Sequence, residues 1–501
     1  MNIVLGIDNG TQSTKVLFYD SDGRTVVASA AAEHQLISKE DGTREQKAQW
    51  WIAALISCMD QVDPIIRSQV KAVGVSGQQH GFVPIDEKGV PLYSVKLWCD
   101  TSTADECDII TADFGGREKL LAETGNLIAP GFTASKILWL KTCKPELYAR
   151  MRWVLLPHDY LNYWLTGVAA MEYGDASGTG LLDVRSRTWH KKLIQTIDKE
   201  LYSKIPNLIM PGTVLGGVSE QAAKQIGLPA GIPVSCGGGD NMMGAIGTGT
   251  VSDGRITMSM GTSGTLYGCS SKPVIDQNGI LAAFCSSTNS WLPLLCTMNC
   301  TVATELTRKL FDLTVKEIDK AGSKAPIGAE GVCMLPFFNG ERVPDLPHGQ
   351  GSIMGLNSSN YSRENIARAS LESAVFGLRI GLDRFRELGF NVSEIRLIGG
   401  GAKSFLWRQM ASDVLEMPIR IPLQSESAAF GAALQAFWMQ SGGGEQKLYA
   451  VIDEHVVLDD SASCDPVTAN VKQYKAVYAH YNSWVKYVTP MYKNHESKEW
   501  S

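Results

Sequence analysis

The chain has 501 residues and a mass of 54.4 kDa, a length that predicts about two to four domains. Hydrophobic residues make up 44% and charged residues 20%, which is a globular composition and argues against long disordered segments. The 46 basic and 52 acidic residues give a net charge of −6, so the sequence lacks the basic excess of most nucleic-acid-binding proteins.

The sequence contains no apolar run of the ~20 residues that a membrane-spanning helix needs. The N-terminus reaches Asp8 without a basic segment or a long apolar stretch, so we expect no secretory signal and a cytoplasmic location. The 11 cysteines form no CxxC pair, and Cys296 and Cys300 have no histidine at metal-binding spacing. We therefore expect reduced thiols, most of them buried.

The first 30 residues predict three consecutive β-strands, with a tight turn at Asp22-Gly23 before the third. The first connection is polar and contains Gly10, which lets the backbone approach an anion. Its amides can bind phosphate, and Asp8 at the end of the first strand can bind Mg²⁺ directly or through water. The hydroxyls that can add to this site are those of Thr11, Ser13 and Thr14.

Residues 237–264 hold nine glycines, a density that favours loops and a hinge over a continuous helix. We place a domain boundary near residue 250, which gives predicted domains at 1–249 and 250–501. Three of these glycines precede Asp240 and Asn241 and remove side-chain bulk around one carboxylate. A bound hydroxyl can then approach Asp240, although an aspartate that only caps a helix is the common alternative.

A second strand-loop-strand unit occupies residues 255–269, and its repetition indicates an internal duplication of domains. Its loop, Gly261-Thr262-Ser263-Gly264, is a candidate for a second phosphate contact that faces the first across a cleft. Taken separately, each of the two loops is better explained as an ordinary polar hairpin turn.

Two further segments are bracketed by glycines. A short strand ends in Gly77-Gln78-Gln79-His80-Gly81, whose amides and imidazole suit a polyhydroxylated ligand, although a lone histidine is more often an ordinary core or surface residue. Residues 397–404 predict a buried strand, a glycine loop and a helix. An adenosine can lie on the exposed backbone of Gly400, Gly401 and Ala402.

Strands and helices alternate in both halves, which predicts an α/β fold. Residues 49–62 and 362–388 predict amphipathic helices, and an apolar stripe from Val471 to Val485 predicts another before Pro490. The sequence has no Walker A motif, no complete GxGxxG after a strand, no HExxH and no GxSxG. P-loop ATPases, Rossmann dehydrogenases, zinc peptidases and α/β-hydrolases are therefore disfavoured.

In this order, the segments resemble the FGGY carbohydrate kinases, within the superfamily of actin, hexokinase and the heat-shock ATPases. The resemblance is strongest to the bacterial kinases of D-xylulose and runs from residue 3 to about residue 440. It rests on residues 6–15, 77–81, 125–136, 155–161, 237–241, 260–264, 335–342, 368–372, 399–404 and 430–433. Two residues depart from the family pattern. Ser102 replaces an arginine of many bacterial relatives near the expected sugar region, and Phe430 replaces the usual leucine.

The resemblance implies two ribonuclease-H-like domains around a central cleft, with the sugar bound mainly by the N-terminal domain and adenosine by the C-terminal one. It implies transfer of phosphate from ATP, with Mg²⁺, to D-xylulose, giving D-xylulose 5-phosphate. The implied sugar-binding residues are Gln79, His80, Asp240 and Asn241, with Asp240 also the base that accepts the hydroxyl proton. The implied metal ligands are Asp8 and Asp240. The implied nucleotide contacts are Gly10, Thr11, Ser13, Thr14, Gly261, Thr262, Ser263, Gly400, Gly401 and Ala402.

Three alternatives stay open from the sequence. The first is a kinase of another pentulose, such as ribulose, or of a polyol. The second is an actin-like or chaperone-like ATPase, which would keep the phosphate loops but have no use for a sugar pocket at Gln79 and His80. The third is an α/β protein whose glycine loops are incidental. We expect a sugar and ATP as partners, no nucleic acid and no membrane, and the oligomeric state stays open, with a homodimer among the options.

Overall fold

The computed structural model describes residues 1–493, which form 24 β-strands, 18 α-helices and three short 3₁₀ segments. The strands are β1 Ile3–Asn9, β2 Ser13–Asp20, β3 Thr25–Glu33, β4 Ile37–Ser38, β5 Arg44–Gln46, β6 Val70–Gly77, β7 Val83–Ile85, β8 Val95–Lys96, β9 Trp153–Leu155, β10 Ala170–Glu172, β11 Leu182–Asp183, β12 Thr188–Trp189, β13 Asn207–Ile209, β14 Val214–Gly217, β15 Pro233–Ser235, β16 Gly238–Gly239, β17 Arg255–Met260, β18 Gly264–Gly268, β19 Leu294–Thr297, β20 Cys333–Pro336, β21 Gly351–Met354, β22 Glu394–Gly399, β23 Ile419–Pro422 and β24 Leu458–Cys464.

The helices are α1 Ala48–Asp60, α2 Pro64–Ser68, α3 Ala104–Phe114, α4 Arg117–Thr124, α5 Thr133–Cys143, α6 Pro145–Arg150, α7 Pro157–Thr166, α8 Tyr173–Ser177, α9 Lys191–Ile197, α10 Glu220–Ile226, α11 Asp240–Thr248, α12 Val302–Leu310, α13 Val315–Lys324, α14 Arg363–Glu387, α15 Phe405–Leu415, α16 Ser427–Gln440, α17 Glu445–His455 and α18 Thr468–Lys493. The 3₁₀ segments are Leu201–Lys204, Ala329–Gly331 and Gly400–Lys403.

The chain forms two compact units, neither of which is continuous in sequence. Unit 1 contains Met1–Ser252, Cys269–Pro293 and Glu426–Val457. Unit 2 contains Asp253–Gly268, Leu294–Ser425 and the segment that begins at Leu458. The predicted domains, 1–249 and 250–501, are continuous halves. The contact-defined units differ from them because two later segments, one of which carries helix α16, pack in unit 1.

Each unit is built on one large mixed sheet, and the two sheets share an arrangement of six strands. In unit 1, β3, β2 and β1 form an antiparallel meander, β6 and β15 continue from β1 in parallel, and β14 closes the edge antiparallel. In unit 2, β19, β18, β17, β22, β23 and β24 have the same arrangement of directions. The sheets differ at one edge, because β14 precedes β15 in the chain whereas β24 follows β23, and unit 1 has a seventh strand, β16. The shared arrangement of six strands supports the predicted internal duplication, and the first meander confirms the three predicted N-terminal strands.

Helix α16 is held against the sheet of unit 1 by glycines that permit very close contact. A Cβ atom added to Gly6 on β1 would lie 1.9 Å from the carbonyl oxygen of Ala429, and one added to Gly74 on β6 would lie 2.0 Å from that of Ala432. Gly431 meets helix α11 in the same way, since its Cβ would lie 1.8 Å from the carbonyl oxygen of Met243. The strand that carries Asp8 and the helix that carries Asp240 therefore pack on one common helix.

The glycine-dense stretch is not one continuous helix, as expected, but it does contain a short helix. Nine residues in its middle, Asp240–Thr248, form helix α11. Glycine is unfavourable inside a helix, but here Gly247 serves packing, because a Cβ at that position would lie 2.0 Å from the carbonyl oxygen of Ser427 on α16. The density of glycine thus reflects close helix contact as well as turns.

Two further sequence expectations are met, and one helix runs further than its sequence stripe. None of the 11 cysteines, which all lie within residues 1–493, forms a disulfide bond, and eight are buried. Helix α14 begins directly after its cap, Ser362, as predicted. Helix α18 continues through Pro490 to Lys493. Among residues 1–493, no helix combines the length and the apolar character needed to cross a bilayer.

Candidate active site

The first candidate residues follow strand β6 at its carboxyl end. Gln79 is buried, and its Oε1 accepts a hydrogen bond of 2.8 Å from the side-chain amide of Asn241 at the start of α11. This bond joins two predicted sugar-binding residues that are 162 positions apart. His80 has a left-handed backbone with φ of 64°, and its Nδ1 lies 2.7 Å from the carbonyl oxygen of Gly178. Because a carbonyl only accepts, Nδ1 carries the proton and Nε2 is the acceptor in neutral His80.

Four groups hold His80 in this uncommon conformation. The ring stacks on Phe132 with centroids 4.6 Å apart, and Phe284 lies at 5.6 Å. The main-chain carbonyl accepts hydrogen bonds from Lys136 Nζ at 2.8 Å and from Thr133 Oγ1 at 3.1 Å. Lys136 is fully buried, which lowers the pKa of its ammonium to about 7. A strained backbone persists only where its surroundings determine it this strongly.

Asp240 is the first residue of helix α11. The N-cap is Gly239, which has no side chain to bond, so the alternative that Asp240 is merely the N-cap is wrong. Its Oδ1 accepts hydrogen bonds from the main-chain amide of Asn241 at 2.8 Å and from the side-chain amide at 3.0 Å. Burial, together with the nearby charges of Asp8 and Asp175, raises the pKa of Asp240 to about 8.

Asp8 lies next to the end of strand β1, where Ser76 Oγ donates a 2.8 Å hydrogen bond to its Oδ1. Burial of the carboxyl raises the pKa of Asp8, while Ser76 and Lys15 oppose the shift. Asp8 and Asp240 thus supply two interacting carboxylates, and carboxylate oxygens suit Mg²⁺. Residues 1–493 contain no cluster of three or more potential metal ligands. Mg²⁺ in kinases commonly uses one or two carboxylates together with substrate phosphates, so this donor set fits it.

The loop between β1 and β2 is a tight hairpin, in which the Gly10 amide donates to the Ser13 carbonyl at 3.0 Å. Thr11 is partly exposed, and its hydroxyl donates to Gln78 and accepts from the Trp98 indole. Ser13 is also partly exposed. The Thr14 hydroxyl differs from the expectation, because it is fully buried.

The Thr14 hydroxyl bonds to Asn9 and to His34. It therefore belongs to the packing of the hairpin, and Thr11 and Ser13 are the hydroxyls of this loop that a ligand can reach.

Two loops of unit 2 meet at one edge of its sheet, because Met260 at the end of β17 pairs with Gly399 at the end of β22. In the first loop, the Gly261 amide donates to the Ser263 carbonyl at 3.2 Å, and Thr262 is exposed. The second loop continues as the short 3₁₀ segment Gly400–Lys403. The structure thus brings together all six predicted contacts of this unit: Gly261, Thr262, Ser263, Gly400, Gly401 and Ala402.

A buried ionic cluster in unit 1 was not identified from the sequence. His158 lies 2.7 Å from Asp175 Oδ2 and 2.9 Å from Asp159 Oδ1. Burial alone lowers the pKa of His158, but the two carboxylates outweigh it and raise that pKa well above its usual value. Burial raises the pKa of Asp175 to about 6 and that of Glu172 to about 7. His158 and Asp159 lie in one of the segments on which the family resemblance rests. The contact between His158 and Asp175 cannot be inferred from the spacing of residues in the sequence, so the cluster could not be recognised there.

Ser102, one of the two departures from the family pattern, lies in a second buried ionic cluster. Its hydroxyl accepts a 2.7 Å hydrogen bond from Lys96 and donates one of 2.6 Å to Asp100. Lys96 is also 3.2 Å from Glu45. The Lys96 ammonium therefore lies directly beside Ser102, where two carboxylates, Glu45 and Asp100, compensate its charge.

Comparisons with known proteins agree with this architecture. The N-terminal domain of the FGGY family of carbohydrate kinases matches residues 3–247, and the C-terminal domain matches residues 256–440. A xylulose kinase from Haemophilus influenzae is 44% identical over 486 residues, which cover 95% of this chain and 98% of that protein. A xylulose kinase from Streptomyces rubiginosus is 34% identical over 451 residues, or 88% of each chain.

Solved structures show the same fold. A structure titled as a xyloylose kinase from Brucella ovis superposes with a TM-score of 0.90 at 28% identity, covering 98% of this chain and 100% of that one. A gluconate kinase from Lactobacillus acidophilus also has a TM-score of 0.90, at 22% identity and with 98% and 99% of the two chains covered. The second likeness is evidence of fold alone. Together these comparisons confirm the predicted two-domain α/β architecture.

Proposed function

The chain belongs to the FGGY family of carbohydrate kinases, and from this premise we propose that it transfers the γ-phosphoryl group of ATP to D-xylulose, forming D-xylulose 5-phosphate and ADP. The observation that carries the choice of site is the hydrogen bond between Gln79 and Asn241. It joins a side chain just beyond strand β6 to one at the start of helix α11, next to the carboxylate of Asp240.

The sugar subsite consists of Gln79, His80, Asp240 and Asn241. Amide groups and an imidazole that accepts through Nε2 offer both donors and acceptors to neighbouring hydroxyls. The stacking of His80 on Phe132 fixes the direction of that acceptor. A polyol with several hydroxyls in defined positions can satisfy such a set, whereas a single alcohol cannot.

Asp240 serves as the base in the transfer. The C5 hydroxyl oxygen forms a bond to the γ-phosphorus, the bond from that phosphorus to the β–γ bridging oxygen breaks, and the hydroxyl proton passes to Asp240. Since Asn241 occupies Oδ1, the proton goes to Oδ2. The loose transition state of phosphoryl transfer needs little early deprotonation, so a carboxylate suffices as the base. Orientation of the two reactants supplies the largest share of the barrier reduction, about 7–11 kcal/mol in well-aligned systems.

The nucleotide contacts come from three loops. The amides and hydroxyls of Gly10, Thr11 and Ser13 bind phosphate oxygens, as do those of Gly261, Thr262 and Ser263. The adenosine lies on Gly400, Gly401 and Ala402. Asp8 and Asp240 would hold Mg²⁺, which supplies positive charge to the phosphates when it is bound. The cytoplasmic location and the homodimer stay predictions.

A kinase of another pentulose or of a polyol would use the same geometry, and the two xylulose kinase relatives favour D-xylulose over these. An actin-like ATPase is not favoured, because both halves of the chain match a carbohydrate kinase family. The dependence of ADP release on the sugar that is added distinguishes these three functions.

The test is ADP release from ATP and Mg²⁺ with a panel of D- and L-pentuloses, hexuloses and polyols. We expect strong stimulation by D-xylulose, and stimulation by another sugar alone would move the substrate. Asp240→Ala should abolish transfer and retain ATP binding, whereas Asp108→Ala, the same change at an exposed residue of helix α3, should retain activity. Near-normal turnover by Asp240→Ala would exclude Asp240 as the base.

A further inference from the structure

The ionic cluster in unit 1 lies directly behind the sugar subsite. Asp175 is fully buried, and its Oδ2 accepts a 2.7 Å hydrogen bond from His158 Nδ1. Helix α7 brings His158 this close because two glycines leave room for it. A Cβ at Gly77 would lie 2.7 Å from the His158 amide nitrogen, and one at Gly237 would lie 3.0 Å from its ring.

The position of Asp175 is fixed from its own helix as well. Glu172 caps helix α8, and its carboxylate accepts hydrogen bonds from the main-chain amides of Gly174 at 2.7 Å and Asp175 at 2.6 Å. The main chain of Asp175 is thus held by the Glu172 carboxylate, and its side chain is held by a protonated imidazole. Its remaining oxygen, Oδ1, bonds to neither group.

That oxygen borders the amide of Gln79. A Cβ built on Gly239 would lie 3.1 Å from Asp175 Oδ1, 2.7 Å from Gln79 Cγ and 3.1 Å from Gln79 Cδ, so both side chains adjoin this glycine. Gln79 Nε2 and Asp175 Oδ1 are both buried, and neither has a hydrogen-bond partner among residues 1–493. A buried polar atom normally has such a partner, and the Gln79 amide also favours the charged form of Asp175 by lowering its pKa against the effect of burial.

We propose that Asp175 is a positioning residue for the sugar subsite, which holds Gln79 Nε2 and thereby turns Gln79 Oε1 toward Asn241. This inference rests on the proposed function of that subsite. The sequence of contacts runs from His158 through Asp175 and Gln79 to Asn241, whose side chain also donates to Asp240.

The chemistry of the amide explains why a carboxylate is needed. A glutamine side chain has a donor end and an acceptor end of nearly the same shape. If Gln79 were reversed, its oxygen would face the carboxylate of Asp175, and its nitrogen would face the donor nitrogen of Asn241. Both contacts would be unfavourable, so the charge on Asp175 selects one orientation. An asparagine in place of Asp175 could rotate to satisfy either orientation, and the selection would be lost.

The experiment compares steady-state kinetics of wild type, Asp175→Asn and Asp159→Asn. Asp159 is the matched control, because it is buried and contacts the same imidazole but has no contact with Gln79. We expect Asp175→Asn to raise the KM for D-xylulose about tenfold, the factor of one lost hydrogen bond to a charged group. Its KM for ATP should stay within about twofold of wild type, and Asp159→Asn should leave the KM for D-xylulose within the same limit. Equal effects of the two variants on both KM values would mean a structural role only, and would overturn the proposal.

A second variant keeps every charge in place. Gly239→Ala inserts a methyl group between Gln79 and Asp175, and its backbone φ of −64° is compatible with alanine. It should also raise the KM for D-xylulose, and combined with Asp175→Asn it should add little, because both changes break the same contact. An unchanged KM in Gly239→Ala, or fully multiplicative effects in the double variant, would overturn the role of Asp175. If wild type releases no ADP with any sugar, the proposed function itself is wrong.

Discussion

Asp8 and Asp240 are two carboxylates with raised pKa values in one small region, and a divalent cation would reduce the repulsion between them. We expect Asp8→Ala to raise the Mg²⁺ concentration for half-maximal activity by at least about tenfold, the effect of losing roughly one charged ligand contact. The measurement is a Mg²⁺ titration at saturating sugar and ATP. Asp22→Ala, at an exposed turn of the same meander, is the control. An unchanged Mg²⁺ requirement would remove Asp8 from the metal site.

Lys136 predicts a pH dependence of stability. Its pKa is about 7 in the folded protein and 10.5 as the ordinary value, so between these pH values the unfolded chain binds a proton that the folded one does not. Stability from this group therefore rises with pH through that window, by at most about 1.4 kcal/mol per pH unit. The difference in Tm between wild type and Lys136→Met should grow in favour of wild type from pH 7 to pH 10. Lys71→Met, at an exposed position, accounts for the loss of a surface charge. A difference that is flat or falls with pH would contradict the assignment.

At the residue scale, the sequence indicated which side chains are candidates for substrate contact better than it indicated which residues hold them in place. Gln79, Asp240 and Asn241 could be found because unusual polar side chains beside glycines stand out in one dimension. Asp175 could not, because nothing in its local sequence indicates that it meets His158 and borders Gln79. The polar loop around Thr14 favours a phosphate contact for its hydroxyl. The alternation of the following strand, which buries that hydroxyl, is also visible in the sequence and argues against the contact.

Glycines allow helix α16 and helix α11 to pack in very close contact. A substitution at one of them tests how much this contact contributes to stability. Gly431→Ala places a methyl group 1.8 Å from the carbonyl oxygen of Met243, and a main-chain atom can only move with its helix. We expect a loss of at least about 1–3 kcal/mol, seen as a Tm lower by several degrees. The matched control is Gly377→Ala in helix α14, where no atom lies within 4 Å of the new methyl and alanine favours the helix. A Tm that changes equally in both variants would mean that the close contact has no energetic weight.

The helices and strands could be predicted from the sequence where one repeat of apolar residues, helical or extended, dominated the segment. Strand β1 is buried along most of its length, and helix α14 begins after a serine cap, so local pattern sufficed for both. The placement of α16 could not be predicted, because the helix is apolar on nearly all sides and its sequence does not indicate which surface it packs against. Only Gly6, Gly74 and Gly247, of which the first and last are 241 positions apart in the sequence, show which surfaces it meets.

At the scale of the whole molecule, one arrangement of six strands occurs twice and carries different loops in each unit. In unit 1, the carboxyl end of the strand after the meander leads to Gln79 and His80, whereas the corresponding strand of unit 2 leads to Gly400 and Gly401. The first pair offers side-chain donors and acceptors, and the second offers bare main chain. In the proposed function, the two units therefore offer different ligand surfaces, unit 1 to the hydroxyls of the sugar and unit 2 to the flat ring of the adenosine.

This difference between the two units predicts that each substrate slows hydrogen–deuterium exchange in a different set of segments. D-xylulose alone should slow exchange most at residues 78–81 and 240–243, whereas a non-hydrolysable ATP analogue with Mg²⁺ should slow it most at 261–264 and 400–404. A ligand at about 100 times its Kd stabilises the bound state by roughly 2.7 kcal/mol, which can slow exchange through ligand-free openings about 100-fold. A sugar that does not stimulate ADP release is the control and should leave both regions unchanged. If D-xylulose protected residues 400–404 and left 78–81 unaffected, the sugar would belong to unit 2, and the assignment of the two surfaces would have to be reversed.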